Sequence, residues 1–201
     1  MLDLNLTILL EFFGTFAFAV SGIRMASGKG IDWFGAYIIG LVTAIGGGTL
    51  RDLLLGVTPF WMLDAKFFLI TGLSLLAVLV FKDKILKLGS TLFLFDTLGL
   101  GLFTIVGITK SIDAGLPYWV CIIMGTITGT VGGVTRDVLL NNVPLLFRRD
   151  IYALCCVAGG IVYFSGIYMG LAIQLTEVLA ALTIITLRLM AVRYHWNLPQ
   201  I

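Results

Sequence analysis

The sequence predicts an all-α integral membrane protein with seven transmembrane helices, arranged as two inverted three-helix repeats plus a seventh helix. Of its 201 residues, 59% are hydrophobic and 12% are charged, whereas soluble domains carry about 25% charged residues. The mean hydropathy is +1.07. Long apolar runs alternate with short loops, and a constant offset of 85 positions aligns the two halves of the chain. These observations indicate the class and the repeat.

Five apolar runs are each long enough for one transmembrane helix. A helix needs about 20 mostly apolar residues to cross a hydrocarbon core of roughly 30 Å. The first run follows Asp3 and contains Glu11, so it is interpreted as a retained helix and not as a secretory signal. The runs are residues 4–25, 33–55, 60–81, 90–109 and 117–140.

The last apolar block, residues 151–187, contains one charge, Glu177. A single helix of that length would extend about 55 Å, which exceeds the thickness of the membrane core. The block therefore predicts two helices joined by a turn between residues 165 and 170. The chain is then one membrane domain, 1–201, with repeat one at about 4–82, repeat two at about 90–168 and the extra helix at about 171–192.

Lysine and arginine residues are unevenly shared between the two sides of this arrangement. Basic residues near helix ends mark the cytoplasmic side. We therefore expect the amino terminus outside and the carboxyl terminus in the cytoplasm, in the cell inner (plasma) membrane. The predicted cytoplasmic side carries Arg24, Lys29, Lys82, Lys84, Lys87, Arg148, Arg149, Arg188 and Arg193, and the other side carries Asp3, Lys66 and Lys110.

The repeat is clearest in glycines, charged residues and prolines. The offset of 85 needs no gap, which chance glycines would rarely achieve. Each unit has three helices, so the second unit enters the membrane from the opposite face. Inverted repeats with interrupted helices are typical of transport proteins. The offset aligns Glu11 with Asp96, Gly47-Gly48 with Gly132-Gly133, Arg51-Asp52 with Arg136-Asp137, and Pro59 with Pro144.

A glycine-rich motif that ends in Arg-Asp occurs in helices two and five. Adjacent glycines favour a break in a helix. A break near the midplane would free carbonyl oxygens, which are good ligands for a monovalent cation. We expect such a cation near the backbone carbonyls of Gly47, Gly48, Gly132 and Gly133. The candidate ion-pathway residues are Gly46, Gly47, Gly48, Thr49, Arg51, Asp52, Gly132, Gly133, Val134, Thr135, Arg136 and Asp137.

Structural explanations stand beside this interpretation. Small residues let membrane helices approach closely without any ion. An Arg-Asp pair near a helix end can anchor that end at the headgroups, or form an ion pair that joins the repeats. In the functional interpretation the aspartates line the cation path, and the arginines act as a gate or charge limiter.

Glu11 and Asp96 occupy matching places in the first helix of each repeat. Acidic groups that face a wet interior favour cations, whereas a protonated carboxyl bonded to nearby backbone is structural. Both roles, acidic pore residue and structural residue, are open from the sequence.

The sequence offers no pattern of an enzyme. Its one histidine, His195, lies in the tail, and no serine elbow or phosphate-binding loop is present. Catalytic residues and a cofactor are therefore not expected. The net charge is +2 with scattered basic residues, so no nucleic-acid partner is expected. The three cysteines lie inside apolar runs, which indicates free thiols.

On the duplicated Gly-Gly-x-x-Arg-Asp motif and its following prolines, the chain resembles the prokaryotic trimeric intracellular cation (TRIC) channels, also catalogued under a bacterial glycine transporter domain name. The resemblance covers nearly the whole chain. It implies a homotrimer in the lipid membrane, with a pore in each subunit lined by glycine-kinked helices two and five, and potassium or sodium as the transported ion. Val131 stands where the first motif has Gly46, so the two kinks need not be equally open.

Three functions compete at this stage. The leading hypothesis is a passive monovalent-cation channel. The alternative is a secondary transporter of glycine or another small zwitterion, because inverted repeats with broken helices suit both. The third is a structural membrane protein whose glycines only allow tight packing.

Overall fold

The computed structural model describes residues 6–81, 91–148 and 150–199, and these residues form helices and short turns without a β-strand. The expectations for Leu4, Asp3, Lys82, Lys84, Lys87 and Arg149 lie outside the described residues. The longer helices are labelled here α1 to α7. They are α1 Leu6–Ser27, α2 Trp33–Leu54, α3 Lys66–Val80, α4 Thr91–Asp113, α5 Tyr118–Leu139, α6 Ala153–Tyr168 and α7 Ile173–Arg193.

Five of these helices are long and apolar enough to cross a membrane, namely α1, α2, α4, α5 and α7. The other two, α3 and α6, are apolar but have 15 and 16 residues. At 1.5 Å per residue they extend about 23 Å, which is less than the hydrocarbon core. The predicted turn in the last apolar block is confirmed, because α6 ends at Tyr168 and Gly170 takes a left-handed φ of 74°.

The prediction of one continuous third helix over 60–81 is wrong. The structure has a one-turn helix, Phe60–Leu63, and a separate helix α3 that begins at Lys66. Asp64 between them is extended, with a φ of −143°. Its carboxylate accepts a hydrogen bond from the backbone N–H of Lys66 at 2.9 Å and lies 2.9 Å from Lys66 Nζ. A side chain that bonds to the backbone in this way starts a new helix.

The first helices of the two predicted repeats, α1 and α4, form the centre of the bundle. Most of their residues are buried. The rings of Phe18 on α1 and Phe103 on α4 stack with centroids 5.5 Å apart. Gly14 lies beside Phe103 and Gly99 lies beside Phe18, so each glycine makes room for a ring from the other helix.

The remaining helices surround this central pair. Helix α2 packs on α1, α5 packs on α4, and α2 and α5 pack on each other. Helix α3 covers α1 and α2, α6 covers α5, and α7 lies against α4 and α6. The two glycine motifs therefore meet at the contact between α2 and α5, next to the buried faces of α1 and α4.

Candidate ion-pathway site

Helices α2 and α5 cross at their glycine motifs with reciprocal contacts. Gly47 on α2 lies against the carbonyl oxygen of Thr128 on α5, and Gly132 on α5 lies against the carbonyl oxygen of Thr43 on α2. A Cβ atom at either glycine would lie far inside van der Waals contact with that oxygen. Moving from Thr43 to Gly47 along α2 corresponds to moving backwards from Gly132 to Thr128 along α5. The two helices are therefore antiparallel at the crossing.

The expected interruption of the helices is not what the structure shows. Residues Trp33–Leu54 and Tyr118–Leu139 are each one α-helix through the glycines. The physical reason is the crossing itself, since glycine permits backbone contact between helices while the helical hydrogen bonds continue. Close packing is thus one role of Gly47 and Gly132.

The threonines of the two motifs use their hydroxyl groups in different surroundings. Thr49 donates to the carbonyl of Ile45 at 2.7 Å and accepts a hydrogen bond from the Trp61 indole at 2.9 Å. Thr135 donates to the carbonyl of Val131 at 2.9 Å, and its oxygen lies next to Gly46 at the crossing. The Thr135 hydroxyl therefore faces the other motif, and the Thr49 hydroxyl joins α2 to Trp61. Val134 is partly buried on the same helix.

The Arg51 cluster lies near the end of α2 and consists of Glu11, Arg51, Asp52, Phe60 and Lys110. The Arg51 side chain is fully buried. Its Nε and Nη2 atoms each lie 2.7 Å from Asp52 Oδ1, and Nη2 lies 3.8 Å from Glu11 Oε1. The shorter contact of Glu11 is with Lys110 Nζ of α4, at 2.7 Å. Both Arg51 and Lys110 lie over the Phe60 ring.

The Arg136 cluster lies near the end of α5 and consists of Ser21, Asp96, Arg136, Asp137 and Tyr152. Arg136 Nη1 lies 2.6 Å from Asp96 Oδ1 and donates to Ser21 Oγ at 2.6 Å. Its Nε donates to Asp137 Oδ1 at 2.9 Å. Asp96, Arg136 and Asp137 are all fully buried. Both Glu11 and Asp96 are therefore ion-paired in the bundle interior.

Both aspartates of the Arg-Asp pairs also bind backbone beyond the following proline. Asp52 Oδ2 accepts from the N–H of Phe60 at 2.8 Å, and Asp137 Oδ2 accepts from the N–H of Leu145 at 3.1 Å. Each carboxylate therefore joins its arginine to the next turn of chain. A group held in this way is structural as well as charged, and its removal would free the segment after Pro59 or Pro144.

The two clusters lie on opposite sides of the helix crossing. Each arginine is six residues past the midpoint of the crossing, or roughly 9 Å along its helix. Because the helices are antiparallel, these displacements point in opposite directions. A cavity of about 500 Å³ opens beside the Arg51 cluster, bordered by Asp52, Phe60, Lys110 and Asp113. Within the described residues, no group of three His, Cys, Asp or Glu side chains is placed to hold a metal ion.

Sequence reasoning identified the Arg-Asp pairs, Glu11 and Asp96, and it missed Lys110 and Tyr152. Lys110 was assigned to a helix end, yet its ammonium group binds Glu11 inside the bundle. Its counterpart at the offset of 85 is Met25, so the repeat did not indicate a role for Lys110. Tyr152 directly precedes α6 and is buried. The sequence could have indicated Tyr152, because a tyrosine in an otherwise apolar segment needs a polar partner.

Comparison with known proteins identifies the family. A family model described as glycine transporter matches residues 8–83 and again residues 93–167. The chain belongs to this family. A UPF0126 membrane protein of Vibrio cholerae is 35% identical over 98% of this chain and 84% of its own length. The UPF0126 inner membrane protein YadS of Escherichia coli K12 is 33% identical over 94% of this chain and 93% of its own length.

Solved structures of TRIC channels also match this chain, which confirms the resemblance found in the sequence. The TRIC trimeric intracellular cation channel orthologue from Rhodobacter sphaeroides superimposes with a TM-score of 0.89 and 31% identity, over 94% of this chain and 98% of its own. A structure that describes conductance through TRIC cation channels superimposes with a TM-score of 0.84 and 34% identity, over 96% of each chain. A Caenorhabditis elegans trimeric intracellular cation channel shares the fold, at 16% identity and a TM-score of 0.64.

Proposed function

We propose that this protein is a passive channel for monovalent cations, potassium and also sodium. The observation that carries the proposal is the pair of buried charge clusters on opposite sides of an antiparallel glycine crossing. Buried ionisable groups at membrane depth are costly and by default indicate a polar pathway. The similarity to structures of TRIC cation channels at 31% and 34% identity supports the same function.

The proposed architecture is seven transmembrane helices in two inverted repeats, about 4–82 and 90–168, followed by α7. Reciprocal contacts between equivalent residues of antiparallel α2 and α5 support the inversion. The family model matches twice, and the matches begin 85 residues apart. The turns after α2 and α5 also correspond, because Gly56 and Asn141 both have a positive φ. In this arrangement the amino terminus is outside the inner membrane and the carboxyl terminus is cytoplasmic.

In the proposed path a cation moves along α2 and α5 from one cluster to the other. The aspartates and Glu11 or Asp96 attract it, and the arginines limit its passage. At the crossing, Thr135 and the carbonyls near Gly47, Gly48, Gly132 and Gly133 would replace part of its hydration shell. Because the helices are continuous, those carbonyls become available only if the helices bend at the glycines. Opening is therefore proposed to include such a kink.

The proposed assembly is a homotrimer with one pore in each subunit, surrounded by lipid. The trimeric description of the Rhodobacter sphaeroides orthologue supports it. All the residues of each cluster described above belong to one chain, which supports a separate pore in each subunit.

A transporter of glycine or another small zwitterion is the second candidate, because the family model carries that description. Transporters of this kind bind a carboxylate at the end of a half-helix near the midplane. Within the described residues, α2 and α5 have no such ends, since both are continuous through their glycines. This observation favours the channel.

The deciding experiment is a reversal potential in planar bilayers with asymmetric potassium chloride. The purified protein should give discrete currents that reverse near the potassium equilibrium potential and persist without any organic solute. Folded protein that stays silent across voltages would contradict the channel. Saturable uptake of labelled glycine into proteoliposomes by the same preparation would then establish the transporter.

A further inference from the structure

Arg188 on α7 is a buried arginine that the sequence assigned to the basic cytoplasmic end of the chain. The structure places it inside the bundle, with 1% of its surface exposed. Its Nη1 donates to the carbonyl of Ile151 at 3.2 Å. Among the described residues no carboxylate lies within ion-pair distance of it, and no hydrogen-bond acceptor reaches its Nε. A buried charge in this position needs compensation from its surroundings.

Two aromatic rings hold the Arg188 guanidinium. Its central carbon lies 5.0 Å from the centre of the Tyr152 ring and 5.2 Å from that of Phe93. Arginine over an aromatic face gains electrostatic energy, more so when water is excluded. Tyr152 connects this position to the Arg136 cluster, because its ring lies under Arg188 and its hydroxyl oxygen lies beside Gly133, next to Asp96 and Arg136.

The space between Tyr152 and Arg136 is bordered by polar atoms. A Cβ atom on Gly133 would lie 3.1 Å from Tyr152 Oη, 3.5 Å from Asp96 Oδ1 and 3.7 Å from Arg136 Nη2. At the equivalent glycine of repeat one, Gly48, the three nearest atoms all belong to the Phe60 ring. The tyrosine ring thus has Arg188 at its face and the Arg136 cluster at its hydroxyl.

The two clusters differ in the number of cations that they contain. The Arg51 cluster has two cations, Arg51 and Lys110, and two acids, Asp52 and Glu11. The Arg136 cluster has two acids but a single cation, because the position equivalent to Lys110 is Met25. Lys110 lies over the Phe60 ring as Arg188 lies over the Tyr152 ring.

We propose that Arg188 is the second cation of the Arg136 cluster, supplied by the helix outside the repeat. It is a positioning residue that balances the Asp96 and Asp137 charges through Tyr152 and sets the barrier for cations that enter from this side. The inference rests on the proposed channel function. It specifies which residue controls current rectification, meaning the ratio of the currents carried in the two directions.

The test measures rectification at low ionic strength, where charges are least screened. Arg188→Gln removes the positive charge and should raise cation current from the Arg136 side. For a unit charge roughly 10 Å from the path, the increase is about two- to tenfold. Arg188→Lys should behave as wild type. Arg193→Gln, an exposed arginine on the same helix, is the matched control and should also leave rectification unchanged.

A double variant separates charge from packing. Met25→Lys in the Arg188→Gln background places the second cation where Lys110 sits in the other cluster, and it should restore wild-type rectification. Arg188→Gln channels that conduct with wild-type rectification would overturn the inference. If Arg188→Gln instead fails to fold, and Met25→Lys does not restore folding, the inference is also overturned. A folded wild-type protein without current would instead overturn the proposed channel, and this inference with it.

Discussion

The Arg51 and Arg136 clusters share a sequence motif but differ in how their charges are satisfied. In the Arg51 cluster, Lys110 binds Glu11 at 2.7 Å, so Arg51 reaches the same carboxylate only at 3.8 Å. In the Arg136 cluster, Arg136 itself binds Asp96 at 2.6 Å. One cluster borders a cavity of about 500 Å³, and the other is enclosed by Tyr152 and Ser21. The duplicated residues therefore form two related sites, of which the Arg51 cluster is the looser and the Arg136 cluster the tighter.

The largest difference is expected when each arginine is replaced by methionine. Arg136→Met leaves Asp96 and Asp137 buried without their direct partner, which should cost about 3–5 kcal/mol of unfolding free energy. Arg51→Met leaves Lys110 on Glu11 and frees Asp52 beside the cavity, which can admit water to its carboxylate, so the cost should be only about 1–3 kcal/mol. Chemical denaturation in detergent micelles measures both values. Equal losses would mean that the two clusters do not differ energetically.

The glycine crossing should instead respond equally on both helices. Gly47→Ala and Gly132→Ala each push a methyl group into a facing carbonyl, and each should cost about 1–3 kcal/mol. Gly46→Ala is the matched control, since its methyl group would meet Gly132 Cα at 3.5 Å, an ordinary contact. That change should be neutral or stabilising by up to about 1 kcal/mol. Unequal losses of unfolding free energy at Gly47 and Gly132 would show that the two contacts are not energetically equivalent.

A smaller effect is expected from Lys110→Met, which tests why the Arg51 cluster is loose. The Lys110 side chain is 30% exposed, and Arg51 can move towards the freed Glu11 carboxylate. The unfolding free energy should fall by about 1 kcal/mol. Lys66→Met, which removes an exposed pair with Asp64, should have almost no effect. A loss at Lys110 as large as that of Arg136→Met would show that Arg51 cannot take its place.

The smallest effect is expected at Asp64, outside both clusters. Hydrogen bonds from the backbone and side chain of Lys66 hold the pKa of the Asp64 carboxyl below its usual range. Its contribution to stability is therefore present above the usual carboxyl pKa and is lost as the pH falls through the lowered pKa. Asp64→Asn should remove only this slight acid dependence of the melting temperature. A large loss at neutral pH would show that the bonds between Asp64 and Lys66 stabilise the whole bundle.

The sequence predicted most of the fold because transmembrane length and glycine spacing are local signals. It predicted the ends of α2 and α5 to within one residue. It missed the division at Asp64, where one side chain accepts a hydrogen bond from the first backbone N–H of the next helix. It also predicted a break at Gly47 and Gly132. A glycine pair alone does not distinguish a bent helix from a close neighbour, because that depends on the facing helix.

The candidate site was predictable where the repeat duplicates it and not elsewhere. Arg51, Asp52, Arg136 and Asp137 recur at one offset, so their importance was visible. Lys110 and Tyr152 have no counterpart of the same type at that offset. Their roles depend on which side chains the folded bundle brings together.

The position of Arg188 on the last of the described helices has a consequence for biosynthesis. Helices α1 to α6 leave the ribosome first and already contain Asp96, Arg136 and Asp137, but not Arg188. Domains fold from the amino terminus during synthesis. On the role proposed for Arg188, the nascent bundle carries one more buried acid than cations in this cluster until α7 inserts, and that charge favours docking of α7 with Arg188 facing inwards.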